Sequence, residues 1–596
     1  MPLTLSAERF PASGGMAGKG ARKLLGASSL DRLETVIREA GQNARDAGLP
    51  GASVAFHVSL RRLTPAQRDV LAGEVLAQPP QSTVSRNLLN TALSAPAPVL
   101  LEISDFGTRG LGGPTRADTA ALPGERTDFI NFIRNIGATS EGPVKGGTYG
   151  FGKTSFYLAS QPATILVDSL AQGLSGSERR FIACHLGDEF THDEKRFTGR
   201  HWWGEAEGSE FVEPLRGAAA AELAERLGLP PRGPDQTGTT IAVLAPDIDD
   251  LETAAAKIRE TLLWYFWPQM VSTGGPPPMS FSLSIDGAPQ IIPDPERTAP
   301  IELLVRAWRQ LKSGGEATPI WCLRPRMHLG DLVIAKGFRG DRPALTEDSA
   351  IPRQLHHVAL MRHVELVVRY EKGPVLPAGG VEWGGVFIAS REEEVARAFA
   401  ASEPPAHDDW SPANMEKGPA QTFVRMGLTR IKEAISRFVY PQSTAGTGAV
   451  DQPSLARAAS VLGSLIPQTP RDPRSRSSSS QRGRRRRWTL QAPQFVSIQA
   501  KGEGVDATFE IAGFNHSDEP LRITALPGVV MEDELSADTE LPDGGIVTVT
   551  AWETADGAIA STEASFVAPP HKSIQMRVRV HVPGLAVVGL SLEAED

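Results

Sequence analysis

The 596-residue chain reads as an α+β protein. A unit mixing one helix with a β-meander comes first, an α/β unit follows, and an all-β unit closes the chain. Three observations predict this. Apolar residues recur at helical spacing between 29 and 47. Short runs rich in Val, Ile and Leu alternate with turn residues from 53 to about 245. Beyond 488 the runs alternate apolar and polar residues between Gly, Pro and Asp turns, the pattern of a small β-sandwich. A chain this long is expected to form about three or four cores rather than one.

Composition narrows the function classes. Hydrophobic content of 40% and charge of 22% are those of an ordinary globular protein. A net charge of −9 excludes nucleic-acid binding by the whole surface, so any such contact needs a local patch. The two cysteines, Cys184 and Cys322, form no metal spacing and no disulfide framework, which fits a reducing compartment. No apolar run reaches the roughly 20 residues of a membrane helix, and "MPLTLSAERFPASGGMAGKG" lacks a signal-peptide core. A cytoplasmic location without membrane contact is therefore expected.

Residues 1–28 read as an N-terminal arm. In "SLDRLETVIREAGQNARDA", 29–47, Leu33, Val36, Ile37, Ala40, Ala44 and Ala47 share one helix face. Strand-like runs at 53–63 and 98–107 and a helical stretch, "TDFINFIRNIG", lead to "GGTYGFGKTS" at 146–155. The runs "ATILVDSL", "RRFIACHLG" and "GTTIAVLAP" complete a unit spanning 29–250. A second unit, 251–445, opens with "AAAKIRETLLWYFWPQM", whose Ile258, Leu262, Leu263 and Phe266 share a side. Its strands are "MSFSLSIDG", "LGDLVIAKGF", "RHVELVVRY" and "WGGVFIAS". It ends in an amphipathic helix bearing Phe423, Met426, Leu428, Ile431, Ile435 and Phe438. Residues 446–487 read as a helix and an Arg/Ser-rich linker, with eight arginines from Arg471 to Arg487. Such a run cannot bury a core, so it is a solvated hinge or an electrostatic arm for DNA or an acidic partner. Residues 488–596 form the β-sandwich.

The glycine segment carries two incompatible patterns. From Gly147 it spells G-x-x-x-x-G-K-T, the P-loop, with Asp168 in "ATILVDSL" as a downstream acid. It also spells G-x-x-G-x-G through Gly147, Gly150 and Gly152, a flexible glycine lid. A P-loop follows a hydrophobic strand, whereas "GATSEGPVKG" upstream is polar. The helix before it favours the lid. Glu39, Asn43 and Asp46 stand at i, i+4 and i+7, a polar stripe opposite the apolar face. An amide and a carboxylate one turn apart suit Mg-ATP: the amide ligates the metal and the carboxylate deprotonates an attacking water. In "EISDFGTRGLGG", Asp105 ends a strand where a carboxylate can accept the N6 proton of adenine.

The ordered set E-x-x-x-N-x-x-D-A, D-x-G, G-x-x-G-x-G and G-T before a strand covers about residues 30–245. It resembles the motif set of the GHKL ATPases (gyrase B subunits, ninety-kilodalton heat-shock chaperones, histidine kinases, MutL proteins). "EAGQNARDAG" resembles the MutL and MORC form, "GTYGFGKTSFY" resembles the lid of the chaperones and MORC proteins, and "SEPPAHDDW" with "EWGGVFIAS" resembles the MORC-like ATPases of bacterial restriction and phage-defence gene clusters. The resemblance implies a GHKL (Bergerat) ATP-binding sandwich over 29–250, an α/β transducer after it, and ATP with Mg²⁺ as ligands. By position, Glu39 resembles the general base, Asn43 the Mg²⁺ ligand and Asp105 the adenine-reading acid. Gly147, Gly150 and Gly152 resemble the phosphate-covering lid, and Gly238 and Thr239 the late G-T motif. Asp46, Gly107, Gly110 and Lys153 would complete the nucleotide site. The family pattern D-x-G-x-G departs here to "DFGTRG", with Gly110 one residue late, so a longer or bulged loop is expected.

A transducer supplies a basic residue to the γ-phosphate, for which Lys336 and Arg362 are the two candidates. The cluster Glu403, His407, Asp408 and Asp409 in "SEPPAHDDW" reads more simply as local turns and caps. No nuclease constellation is present in the sequence, so DNA cleavage would fall to a partner nuclease or helicase. The resemblance implies an ATP-dependent homodimer acting as a gated clamp in DNA surveillance or anti-phage defence. A chaperone-like ATPase acting on protein clients and a low-turnover ATP-sensing assembly module are the alternatives.

Overall fold

The computed structural model describes residues 2–135, 152–440 and 488–595, with shorter breaks inside these ranges, the longest 21–30 and 536–545. The architecture is mixed α+β. The linker Arg471–Arg487, with the rest of 446–487, lies outside the described residues.

A twelve-stranded sheet organises the first half of the chain. Its main path runs Thr4–Arg9, Lys195–Glu207, Gly176–Leu186, Thr164–Gly173, Gly238–Leu244, Val99–Phe106, Val54–Arg62, Met279–Ile285 and Ala288–Gln290. Both faces are covered, which explains why the strands read as apolar runs rather than strict alternations. Leu101, Ile103, Val167 and Ile241 enter one core together with the helix Arg32–Asp46. Leu100, Leu166, Ala242 and Leu244 enter the other, beneath Leu71, Leu89 and the helix Gly217–Arg226.

Two placements differ from the sequence reading. Within the N-terminal arm, Thr4–Arg9 is an edge strand paired with Lys195–Glu207, held by the buried Leu3 and by Glu8, which accepts from Arg200 at 2.9 Å. Met279–Ile285, read as a strand of the second unit, pairs in parallel with Val54–Arg62 of the first sheet. The partners Val54 and Met279 stand 225 positions apart, so local pattern does not show this pairing.

A five-stranded sheet follows, ordered Thr318–Leu323, Arg326–Phe338, Val381–Ala389, His356–Met361, Val367–Lys372. Val333, Ala359, Met361 and Val386 face the same core as the Arg32–Asp46 helix. Leu332, Val358, Leu360 and Phe387 face the helices Glu393–Ala401 and Pro419–Val439. At the C-terminus a six-stranded and a four-stranded sheet share one core, with Ile574, Met576, Val578, Val580 and Val582 as alternate residues of one strand.

The helix Leu251–Met270 lies between the first two sheets and is buried nearly all round. Asp250 caps it, its carboxylate accepting the Thr253 N–H at 2.8 Å. Trp264 stacks on Tyr370 at 3.7 Å, and Phe266 turns toward the Arg32–Asp46 helix. There Gly41 offers no side chain, and a β-carbon on it would enter the Phe266 ring, 2.7 Å from Cε1. On the neighbouring face Arg38 stacks 4.1 Å from the Tyr265 ring centroid and donates to the Val368 carbonyl at 2.8 Å.

Gly41→Ala is therefore expected to destabilise the protein by about 1–3 kcal/mol through overpacking. Helix propensity alone would stabilise it by about 1 kcal/mol. Urea unfolding separates the two, and a stabilised variant would contradict the Phe266 contact.

Candidate functional site

The Arg32–Asp46 helix starts at Asp31, whose carboxylate accepts the Glu34 N–H at 2.7 Å. From Glu39 to Asp46 its polar stripe rises about 10 Å along the axis. Glu39 is 4% exposed, Asn43 is exposed and Asp46 is half-buried. A β-carbon on Gly152 would fall inside the Glu39 carboxylate, so the last glycine of the lid pattern lies directly on the candidate base. Gly147 and Gly150 lie outside the described residues.

The turn after Asp105 is knitted to the far end of the same helix. Arg109 N–H donates to the Ala47 carbonyl at 3.0 Å, its Nη1 to the Asp46 carbonyl at 2.9 Å, and Leu49 N–H donates to the Gly107 carbonyl at 3.0 Å. Gly107 and Gly110 both have left-handed backbone, with φ of 76° and 66°. Their β-carbons would strike the Ser53 and Leu170 carbonyls respectively, so the late Gly110 is required by packing on the adjacent strand.

Strand register brings the G-T motif to Asp105. Thr239 donates its N–H to Asp105 Oδ1 at 3.1 Å, and the Thr108 hydroxyl donates to the same oxygen. Thr239 Oγ1 lies 3.0 Å from Ser169 Oγ, which accepts the Leu111 N–H at 2.9 Å. Gly238 has φ of 151°, and a β-carbon there would sit 2.8 Å from Asp105 Oδ1. Burial raises the Asp105 carboxyl above the ordinary aspartate range, opposed by Thr108, Arg232, Thr239 and Arg109.

The remaining candidates take other places. Lys153 donates to the carbonyls of Asn131 and Asn135, at the end of the π-helical turn Ile130–Arg134. Burial and the nearby Arg200 pull its pKa down to about 7. Asp168, the acid a P-loop would need, is fully buried on the opposite sheet face and bound bidentately by Arg179, both contacts 2.9 Å. Lys336 lies 5.9 Å from the Phe438 ring centroid, on the sheet face away from the Glu39 helix. Arg362 is buried against Glu403, with Nε 3.4 Å from Oε1, and Trp410 donates to that same oxygen at 3.3 Å. Asp409 pairs with Arg369 at 3.1 Å, and His407 lies outside the described residues.

Motif spacing does not point to the groups that join the second sheet to this helix. Arg45 donates to Gln269 Oε1 at 2.8 Å, and Gln269 Nε2 donates to the Glu365 carbonyl at 2.9 Å. His363, on that loop, is lowered by burial and by Arg362 and Arg391, while Asp46 acts in the opposite sense. Arg232 is the other addition, with Nη1 on the Asp105 carbonyl at 2.9 Å.

Among the described residues no group of three or more His, Cys, Asp or Glu side chains can hold a metal. Magnesium bound through one side-chain oxygen, substrate phosphates and water needs no such cage, and the exposed Asn43 amide fits that role. Among the described residues no helix is long and apolar enough to cross a membrane.

The chain matches no protein-family model and no curated protein.

Gly238→Ala is expected to cost about 1–3 kcal/mol by driving a methyl group against Asp105. Thermal unfolding checks this, and a wild-type midpoint would contradict the close approach.

Proposed function

We propose that the chain is a Mg²⁺-dependent ATPase of the GHKL type, with nucleotide held between the Asp105 turn and the Glu39 helix. The observation that carries this reading is the meeting of segments distant in sequence. Gly152 lies on the Glu39 carboxylate, and the Asp105 turn is bonded to the end of the same helix. Asp105 accepts the adenine N6 proton, and Thr239 and Thr108 hold its carboxylate in place. Asn43 offers an oxygen to Mg²⁺, which supplies charge neutralisation at the phosphates. Glu39 orients a water and takes its proton, and its burial beside Gly152 keeps bulk solvent from it.

A lid ordered by nucleotide would then gate dimerisation, making the protein a clamp in DNA surveillance or anti-phage defence beside an effector such as a nuclease. The linkage from Arg45 through Gln269 to the His363 loop supports communication between the nucleotide helix and the second sheet.

Glu39→Gln is expected to bind Mg-ATP within a few-fold of wild type while phosphate release falls at least about 100-fold. Asp105→Asn should weaken ATP binding at least about tenfold, since an amide donor replaces the acceptor. Phosphate release and equilibrium binding measured on the same preparations check both. Undiminished turnover in Glu39→Gln would remove the assigned base.

A further inference from the structure

The row of charge that ends at Asp105 is not accounted for by binding adenine alone. Arg179 holds Asp168 bidentately, and Arg232 Nε stands 3.9 Å from Oδ2, one of the two oxygens Arg179 binds. The Arg232 guanidinium lies 4.3 Å from the Phe106 ring centroid, donates Nη1 to the Asp105 carbonyl at 2.9 Å and Nη2 to Thr240 Oγ1 at 2.9 Å. Its side chain has no solvent exposure. A β-carbon on Gly238 would lie 2.8 Å from both Arg232 Nη1 and Asp105 Oδ1, so the two groups crowd one point at the strand end. The row alternates in sign: Arg179, Asp168, Arg232, Asp105. Arg232 thus stands between the two acids, with its Nε near Asp168 and its Nη1 on the Asp105 backbone carbonyl.

We infer that Arg232 is a positioning residue that keeps Asp105 ionised and thereby sets the preference of the site for adenine over guanine. This rests on the nucleotide reading above. An ionised carboxylate only accepts hydrogen bonds, so it pairs with the adenine N6 amino group and repels the guanine O6 oxygen. A protonated Asp105 gains an O–H donor and becomes a weaker, uncharged acceptor, so it holds N6 less well and offers O6 a partner. Burial favours that neutral form, and the positive charge of Arg232, hydrogen-bonded to the Asp105 backbone carbonyl, opposes it. The other charged groups around Asp105 are few. Arg109 is on its own turn, with Nε 3.3 Å from Asp128, which also binds Arg126. The His57 ring lies tilted beside Phe106, centroids 5.1 Å apart, and burial together with Arg232 lowers its pKa.

The sign follows from the charges. Without Arg232 the folded-state pKa of Asp105 rises, so ATP affinity falls as pH falls through that higher value and recovers above it. Equilibrium binding of Mg-ATP and Mg-GTP to the full chain between pH 5.5 and 8.5 tests this. Wild type is expected to prefer ATP at least about tenfold, with little change from pH 6.5 to 8.5. Arg232→Gln keeps amide donors without the charge, and Arg232→Met removes both. Each should move the acid limb of ATP binding up by about one pH unit or more and lower the ATP-to-GTP ratio at pH 6.5 about tenfold. Arg232→Lys keeps the charge and should restore the wild-type limb.

If Arg232→Gln loses affinity for both nucleotides equally at every pH, or retains the wild-type profile, Arg232 is merely structural and the inference is overturned while the ATP site stands. If wild type binds neither nucleotide, the site and the inference fall together. If Arg232→Met does not fold, the comparison of Gln with Lys decides alone.

Discussion

The candidate site depends on one contact without a side chain, the seating of Gly41 on the ring of Phe266. A glycine inside a helix costs about 1 kcal/mol of helix propensity, and here it lets the Phe266 ring of the neighbouring helix rest on the backbone. That approach sets the rotation of the Arg32–Asp46 helix. With Gly41 turned inward and Arg38 bound to Val368 of the second sheet, Glu39 is directed toward Gly152. The Asp105 turn then attaches to the helix end through Ala47, Asp46 and Leu49. One rigid element thus fixes the separation of the two ends of the proposed nucleotide site.

Buried charge in this region is arranged in compensated pairs. Asp168 with Arg179, Glu102 with Arg61 and Glu403 with Arg362 sit inside the protein, where an unpaired ion would cost several kcal/mol. Two of these placements bear on the residues that the P-loop pattern of "GGTYGFGKTS" would use. The acid that a P-loop needs is already held by an arginine on the wrong sheet face, and Lys153 caps carbonyls of a neighbouring turn. Gly152, by contrast, lies against Glu39, where a lid would close.

What was legible in the sequence follows the range of the forces involved. The stripe Glu39, Asn43, Asp46 could be read because helical periodicity is local, and the mixed α+β class because strand runs and helices have distinct periods. The approach of Thr239 to Asp105 required strand register across 134 positions, which only the likeness to known motifs suggested. Arg232 was invisible, being one arginine in a polar loop until folding buries it beside Phe106. The parallel pairing of Met279–Ile285 with Val54–Arg62 was hidden for the same reason. Lys336 and Arg362 looked alike as basic residues near strands. Their surroundings separate them: one lies over an aromatic ring on the far face, the other in a buried ion pair.

The most direct test of the account is calorimetric titration of the full chain with a non-hydrolysable ATP analogue, with and without Mg²⁺. The account predicts saturable binding of one nucleotide per chain that strengthens when Mg²⁺ is present and is lost when adenine is replaced by a pyrimidine. Absence of binding heat at millimolar analogue, or equal binding of every nucleoside triphosphate, would contradict it.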